Sequence, residues 1–433
     1  MEKRMVKCLV CGAVFEEGAD VCPVCGVGPE NFEPVEASDS TFSKDTDEKF
    51  VILGGGPAGR AAAQAVRERN TEAVITIITM EDEIPYNRPM LTKALLKDHS
   101  GDALAIEAAD WYEKNRIYMM KGTRALSIDT AGKQVALELS DGSHGATQYD
   151  KLIYTLGAFC FVAPIKGSEL EHVVTVRNIA DTVRIRDIVK DRDVKNVVCI
   201  GGGVMGLEGA STMNDEGFNV TVLETSSGLL HRQLDDKASS MLKDIAESKG
   251  VKIITNAKIS EITGDAVVLE DGTSCPAELV LMSTGMRPYT QLAEEAGIAV
   301  DRWVVANERM ETSAGSVYAA GDCAVVNGQP QAFWAQAEET GRIAGANAAG
   351  DDVVYEPIGS ALVMHAFGTA VFSLGTNGKG PDGNPDPKYR CESEADEKAG
   401  TYSARYYDGS NLVGAILVGD ISAMPELTKQ IDF

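Results

Sequence analysis

Basic residues are scarce in this chain: 40 lysines and arginines stand against 65 aspartates and glutamates, a net charge of −25 at pH 7. A surface of that sign repels phosphate backbones and anionic headgroups, which excludes nucleic acid and membrane as main partners. Long apolar runs are missing too. The longest uncharged stretch, 358–378, contains His365, several glycines and hydroxyl side chains, so it reads as buried strands and not as a membrane span. The N-terminus, MEKRMVKCLVCG, has no apolar segment of secretory length, so no signal peptide is read and a cytoplasmic location is expected. The five histidines have no metal-ligand spacing, and no cysteine lies between Cys25 and Cys160.

What is present is the composition of a globular protein, 44% hydrophobic and 24% charged, and at 433 residues the length suggests roughly three domains. The stretch FVILGGGPAGRAAA (50–63) runs an apolar strand into Gly54-x-Gly56-x-x-Gly59 and then an alanine-rich helix. That is the order a dinucleotide site requires: Gly54 for the tight turn, Gly56 for close approach of a pyrophosphate, and Gly59 for helix–strand packing. The helix N-terminus then offers free N–H groups to the phosphates. A second copy, VVCIGGGVMGLEGA (197–210), repeats the pattern with Gly201, Gly203 and Gly206. Two such sites imply two nucleotides. Each is followed by short alternating strands with a glycine turn, at 140–142 and 269–272, so the chain reads as an internal duplication of one nucleotide-binding unit.

In the second unit Glu224 stands 18 residues beyond Gly206, at the end of the strand NVTVLE. A carboxylate there accepts hydrogen bonds from the ribose hydroxyls of NAD and repels a 2′-phosphate, which predicts NADH over NADPH, with Arg232 the nearest arginine. In the first unit Thr79 ends the second strand and the carboxylate comes at Glu81, which is either the ribose partner or an ordinary residue of the acidic patch 81–83.

Four of the nine cysteines cluster at the start, as Cys8-x-x-Cys11-Gly and Cys22-Pro-Val-Cys25-Gly. Each C-x-x-C-G is a knuckle that points two thiolates at one ion, and two knuckles make a tetrahedral four-thiolate site for iron or zinc. So short a segment needs the metal to stay folded. The tail CPVCGVGPENFEP resembles the end of a shortened rubredoxin domain, which favours iron; a structural zinc knuckle is the alternative. Residues 34–48 are polar and aperiodic and read as a flexible linker, whose roughly 15 residues give an r.m.s. reach of about 20 Å. Residues 1–48 hold 4 basic against 11 acidic side chains, so docking of this module is expected to rely on a local basic patch, with Arg88, Lys93 and Lys97 as candidates.

The segment EIPYNRPMLTKALL (83–96) resembles the FAD-dependent pyridine-nucleotide oxidoreductases, in particular the branch with NADH:rubredoxin reductase, ferredoxin reductases of oxygenase systems and assimilatory nitrite reductase. The resemblance implies that Arg88 and Lys93 lie against the flavin, where positive charge favours the anionic reduced ring. It also implies that Glu208, the glutamate of G-x-E, faces the nicotinamide; otherwise Glu208 is a helix-dipole partner. VYAAGD (317–322) resembles the second FAD fingerprint, placing Gly321 and Asp322 at the ribityl or phosphate region. The helix starting near Trp334 resembles the one aimed at the flavin pyrimidine, with Trp334 itself either a flavin contact or core. The segments 155–157 and 283–285 resemble the crossings between domains, Leu156 departing from the usual threonine. No cysteine pair occupies the position of the disulfide reductases' thiol relay.

These readings predict an α/β chain of two nucleotide-binding three-layer (glutathione-reductase-like) domains, a small N-terminal four-cysteine metal (rubredoxin-like) domain and an α+β C-terminal domain. The expected boundaries are 1–35 for the metal domain, 36–48 linker, 49–158 and 284–355 FAD-binding, 159–283 NAD-binding and 356–433 C-terminal. The expected activity passes electrons from NADH through FAD to one iron and on to a protein acceptor, such as an oxygen- or peroxide-reducing protein. The alternative is an NADH oxidase or diaphorase with a zinc knuckle used for docking.

Overall fold

A computed structural model of the chain describes residues 5–8, 14–22, 27–34, 42–97, 101–359 and 361–431. The apolar strand Lys49–Leu53 is buried from Phe50 onward and forms the middle of a parallel sheet. Its strands run in the spatial order Val317–Ala319, Lys151–Tyr154, Lys49–Leu53, Val74–Ile78, Ile117–Met120. A strand buried on both faces needs to be apolar along its whole length, and FVIL meets that condition. The second sheet repeats the plan: Val173–Val174, Leu279–Met282, Asn196–Ile200, Asn219–Leu223, Lys252–Ile254, again all parallel.

The duplication extends to the appended three-stranded antiparallel sheets. Arg124–Asp129, Gln134–Glu138 and His144–Gln148 make one; Ile259–Ile262, Ala266–Leu269 and Ser274–Pro276 make the other. Their turns close alike, the Gly142 N–H donating to the Leu139 carbonyl at 2.9 Å and the Gly272 N–H to that of Leu269 at 3.0 Å. Where the chain passes between the units, Ala158–Cys160 pairs antiparallel with Met286–Pro288, immediately after the two crossing segments.

The chain returns to the first unit through Val317–Ala319 and the helix Trp334–Ala349, which lies against the helix Pro57–Arg69. Glycine makes the approach possible. A Cβ on Gly341 would sit 2.2 Å from the Ala58 carbonyl oxygen, and one on Gly345 2.3 Å from that of Ala62. Two buried arginines fasten the pair, Arg60 to Glu338 at 3.0 Å and Arg69 to Asp351 at 2.6 Å.

The C-terminal part is a five-stranded antiparallel sheet in the order Leu362–Ala366, Thr369–Gly375, Asn411–Val418, Thr401–Asp408, Arg390–Asp396, followed by the helix Met424–Gln430. The 358–378 stretch thus supplies strands, as its composition indicates. Among the described residues no helix is long and apolar enough to cross a membrane.

At the N-terminus Met5–Cys8, Val14–Glu16 and Phe32–Pro34 form a small antiparallel sheet. Cys8 and Cys22 are buried, and the Cys22 N–H donates to the Val27 carbonyl at 2.7 Å. Cys11 and Cys25 lie outside the described residues, and no set of three or more metal-binding side chains occurs among those that are described. Phe15 and Phe32 meet edge to face with centroids 4.8 Å apart.

The linker reading needs correction over 42–48. The Lys44 N–H donates to the Arg69 carbonyl at 2.8 Å, the Thr46 N–H to Asn70 Oδ1 at 3.0 Å, and Val74 N–H to the Glu48 carbonyl at 2.9 Å. This polar stretch is pinned to the C-terminal end of the helix Pro57–Arg69, whose terminal groups require partners.

Gly345→Ala forces the two helices apart or bends one of them. It is expected to cost about 1–3 kcal/mol, seen as a lower thermal midpoint by circular dichroism and weaker FAD retention. An unchanged midpoint would show that the helix contact is not limiting.

Candidate active site

Both glycine loops open onto a cavity of about 1650 Å³ between the two nucleotide units. Gly54 and Gly201 hold the left-handed conformation, φ 119° and 114°, that begins each turn. A Cβ on Gly54 would strike the Thr155 carbonyl oxygen at 2.1 Å, and one on Gly201 that of Ser283 at 2.2 Å. Gly59 and Gly206 are as tightly held: a Cβ on either would fall 2.1 Å from the carbonyl oxygen of the first glycine of its own motif. Gly56 and Gly203 differ: a Cβ there meets nothing within 4 Å, because both border the cavity. Bare backbone at a helix N-terminus facing open space fits a pyrophosphate, and it occurs twice.

Two acidic residues of the cavity, Glu81 and Asp322, are engaged by arginines. Glu81 receives the Tyr86 hydroxyl at 2.6 Å and pairs with the Arg88 guanidinium, which also donates to the Arg177 carbonyl at 2.9 Å. Burial pushes the Tyr86 hydroxyl well above its ordinary range, so it serves here as a donor. Asp322, in the turn Gly321–Cys323, pairs with Arg177 at 2.8 Å. The Gly321 N–H donates to Thr340 Oγ1 at 3.1 Å, tying that turn to the helix Trp334–Ala349.

Arg177 is a cavity residue that the motifs did not single out. Its place follows from the next residues: Asn178 caps the helix Ile179–Asp191, accepting from the Asp181 N–H at 2.9 Å. Asp181 accepts in turn from the Arg177 N–H at 2.7 Å, which fixes Arg177 at the mouth of that helix. An arginine just before an Asn-x-x-Asp cap is the signal that was available.

Lys93 and Glu208, identified separately in the sequence, form a pair. Glu208 is only 5% exposed and takes the Thr92 hydroxyl at 2.7 Å and Lys93 Nζ at 3.2 Å. It stands in the second turn of the helix Val204–Asp215, past the positions where the helix dipole acts most strongly, so the dipole alternative fails. The segment bearing Lys93 forms two single turns of 3-10 geometry, Arg88–Met90 and Thr92–Ala94. The Arg88-Lys93-Lys97 docking patch is corrected as well, because Arg88 and Lys93 line the cavity, paired with Glu81 and Glu208, and so do not make an outer basic patch.

Glu224 ends its strand as expected and lines the cavity, accepting from the Gly202 N–H and the Ser226 N–H, both at 2.6 Å. His231 and Arg232 line the same region. Trp334 opens its helix at the cavity and packs against a second apolar cluster, with Phe333 preceding it as the N-cap. Leu156 lines the wall between the crossing segments.

Among the described cysteines, Cys160 alone borders the cavity. Burial raises its thiol above the ordinary range, with a contact to the Val176 carbonyl at 3.7 Å, so it is held as the weakly nucleophilic neutral thiol. Burial pushes Cys199 and Cys323 up to about 12.

Fold and cavity together define a two-nucleotide α/β oxidoreductase: duplicated dinucleotide folds whose glycine loops face one shared space. The chain belongs to the pyridine nucleotide-disulphide oxidoreductase family, which it matches over residues 48–351. It is 32% identical over 389 residues to a nitrite reductase [NAD(P)H] of Bacillus subtilis, an alignment covering 88% of this chain and 47% of that protein. It is 31% identical over 384 residues to the NADH-rubredoxin oxidoreductase of Clostridium acetobutylicum, covering 89% and 94%. The crystal structure of that oxidoreductase superposes with a TM-score of 0.73 at 30% identity, covering 89% of this chain and 95% of the other. An NADH oxidase of Methanocaldococcus jannaschii is 30% identical over 324 residues, 72% of each chain. The chain spans about half the length of the two Bacillus subtilis relatives it matches.

At pH 8, iodoacetamide is expected to label the exposed Cys391 while Cys199 and Cys323 stay unmodified in the native protein. Cys160→Ser should leave NADH-driven bleaching of the flavin absorbance within about twofold of wild type. Loss of bleaching in a folded Cys160→Ser protein would reveal a thiol relay.

Proposed function

We propose that this protein is an NADH-dependent FAD oxidoreductase that delivers electrons to a rubredoxin-type iron held by Cys8, Cys11, Cys22 and Cys25, and from there to a protein acceptor. The observation that carries the reading is the shared cavity, where Gly56 and Gly203 each offer bare backbone to a nucleotide and the Glu208–Lys93 pair lines the same space. Similarity to the NADH-rubredoxin oxidoreductase along nearly the whole of both chains supports it.

Bound FAD supplies the conversion between a two-electron donor and one-electron acceptors. Iron, if held by Cys8, Cys11, Cys22 and Cys25, would supply a one-electron centre, so that the two electrons released when NADH becomes NAD⁺ and a proton would leave singly toward a one-electron protein acceptor. The residues of this chain bind and bias. We assign Gly54, Gly56, Gly59, Glu81, Gly321, Asp322 and Trp334 to FAD, and Gly201, Gly203, Gly206 and Glu224 to NADH. Arg88 and Lys93 provide positive charge that favours an anionic reduced ring, and Glu208 orients Lys93 while excluding water from the space beside the nicotinamide.

Paired thiolates from two knuckles suit iron or zinc equally in geometry. We assign residues 1–35 to this module, 49–158 with 284–355 to the FAD domain, 159–283 to the NAD domain and 356–433 to the C-terminal domain, in a cytoplasmic protein.

The second reading is an NADH oxidase or diaphorase whose four-cysteine site holds structural zinc used for partner docking. The similarity to the Methanocaldococcus jannaschii NADH oxidase favours it. Metal analysis with stopped-flow mixing separates the two. The first reading expects stoichiometric iron, reduced by NADH after the flavin, and a Cys8→Ser variant whose flavin is reduced at the normal rate while electron delivery to a protein acceptor is lost. Stoichiometric zinc, or iron that stays oxidised beside fully reduced flavin, sinks it.

Glu224→Ala removes a charged acceptor for ribose hydroxyls and is expected to cost about 1–3 kcal/mol of NADH binding. NADH KM then rises on the order of 10- to 100-fold and the margin over NADPH narrows. Equal use of both cofactors by the wild-type enzyme would refute this role.

A further inference from the structure

We infer that the N-terminal Cys module is seated permanently on the C-terminal domain, beside the cavity, and does not swing on a tether. The inference rests on the proposed function for its meaning in electron transfer, and on separate observations for its geometry. Cys8, Cys22 and Val27 are buried in one apolar cluster with Phe372, Leu417 and Leu427 of the C-terminal domain. Phe15 and Phe32, the module's own aromatic pair, pack against the same cluster. A segment of about 30 residues cannot close an apolar core alone, and here the C-terminal sheet and helix complete it.

Charge adds to the seat where apolar contact ends. Lys429, on the helix Met424–Gln430, pairs with Glu33 on the module's third strand at 3.2 Å. The connection is short. Pro34 ends the module's sheet, and from Phe42 the chain runs along the first nucleotide unit, with a Cβ on Gly350 falling 3.2 Å from the Phe42 ring. The seven residues between them, even fully extended, span only about 25 Å.

The seat adjoins the reaction space. Trp334, Ala361 and Val363 belong to the apolar cluster and also line the cavity. Two of the proposed metal ligands therefore share a packed cluster with a tryptophan of the cavity wall, an arrangement in which transfer needs no excursion of the module.

Zero-length carbodiimide cross-linking of the full chain tests the seat without reference to metal or activity. Peptide mass spectrometry should find Glu33 joined to Lys429 within one chain, as readily as Lys237 to Glu397, a bridge at 2.7 Å between the second nucleotide unit and the turn after the strand Arg390–Asp396. Absence of the Glu33–Lys429 product while the Lys237–Glu397 product forms would overturn the inference. Leu412→Asp, a partly exposed position at the edge of the cluster, should lower the Glu33–Lys429 yield at least threefold. It should also raise hydrogen exchange in 14–16 and 32–34 about tenfold, with the nucleotide units unchanged. Unaltered exchange in a folded Leu412→Asp protein overturns the inference equally. Failure of the proposed function shows elsewhere, as zinc or as unreduced iron, and leaves the cross-link result untouched.

Discussion

Backbone-to-backbone contact between two helices governs the rest of the molecule. The helix Pro57–Arg69 begins at the first glycine loop, and the helix Trp334–Ala349 comes nearly 300 residues later in the chain. Only because Gly341 and Gly345 carry no Cβ does the second lie flat on Ala58 and Ala62. That contact brings the turn of Gly321 and Asp322 back to the first glycine loop. An inserted second nucleotide unit thereby becomes compatible with one cavity. The salt bridges Arg60–Glu338 and Arg69–Asp351 reinforce the pair, yet buried ion pairs contribute little net stability once desolvation is counted. Their value is in register: Arg60–Glu338 joins a turn of one helix to a turn of the other, and Arg69–Asp351 ties the end of the first helix to the segment just past the end of the second.

Electrostatics in the cavity has a consistent form. A protein of net charge −25 has to admit two pyrophosphates, and unpaired carboxylates around them would oppose binding. Four cavity carboxylates are matched: Glu81 by Arg88, Asp322 by Arg177, Glu208 by Lys93, and Glu224 by two backbone N–H groups. The pairing also serves orientation, since a lysine held by a buried carboxylate keeps one geometry as the charge of the bound cofactor changes.

Much of this was legible in the amino-acid sequence, for identifiable reasons. Glycines at fixed offsets report local backbone geometry, so Gly54, Gly59, Gly201 and Gly206 announced their turns. The duplication followed from repeated strand and turn patterns. Pairings across long separations were not legible: Lys93 and Glu208 are 115 residues apart, and nothing in either neighbourhood names the other. Arg177 was hidden for the same reason, its partner Asp322 lying on the returning segment. The stretch 42–48 misled because its polarity, taken as a sign of solvation, reflects hydrogen bonds to Arg69 and Asn70. Polar composition distinguishes poorly between a segment that bonds to water and one that bonds to an exposed helix end.

Docking of the cysteine module illustrates a related limit. Both the module and the body of the protein are acidic, so charge alone argues that they avoid each other. Apolar burial overrides that repulsion at short range. A few side chains such as Val27, Phe15 and Phe32, each removing apolar surface from water at about 25 cal/mol per Å², outweigh net repulsion that salt screens beyond about 8–10 Å. The local pair of Glu33 and Lys429 is compatible with like net charges because it acts well inside that distance. Attachment through the chain does the rest, since the module need not find its seat from bulk solution and the contact needs only to exceed the entropy of a short connection. Weak, apolar and permanent contact is thus the form of docking that this charge balance and this connection permit.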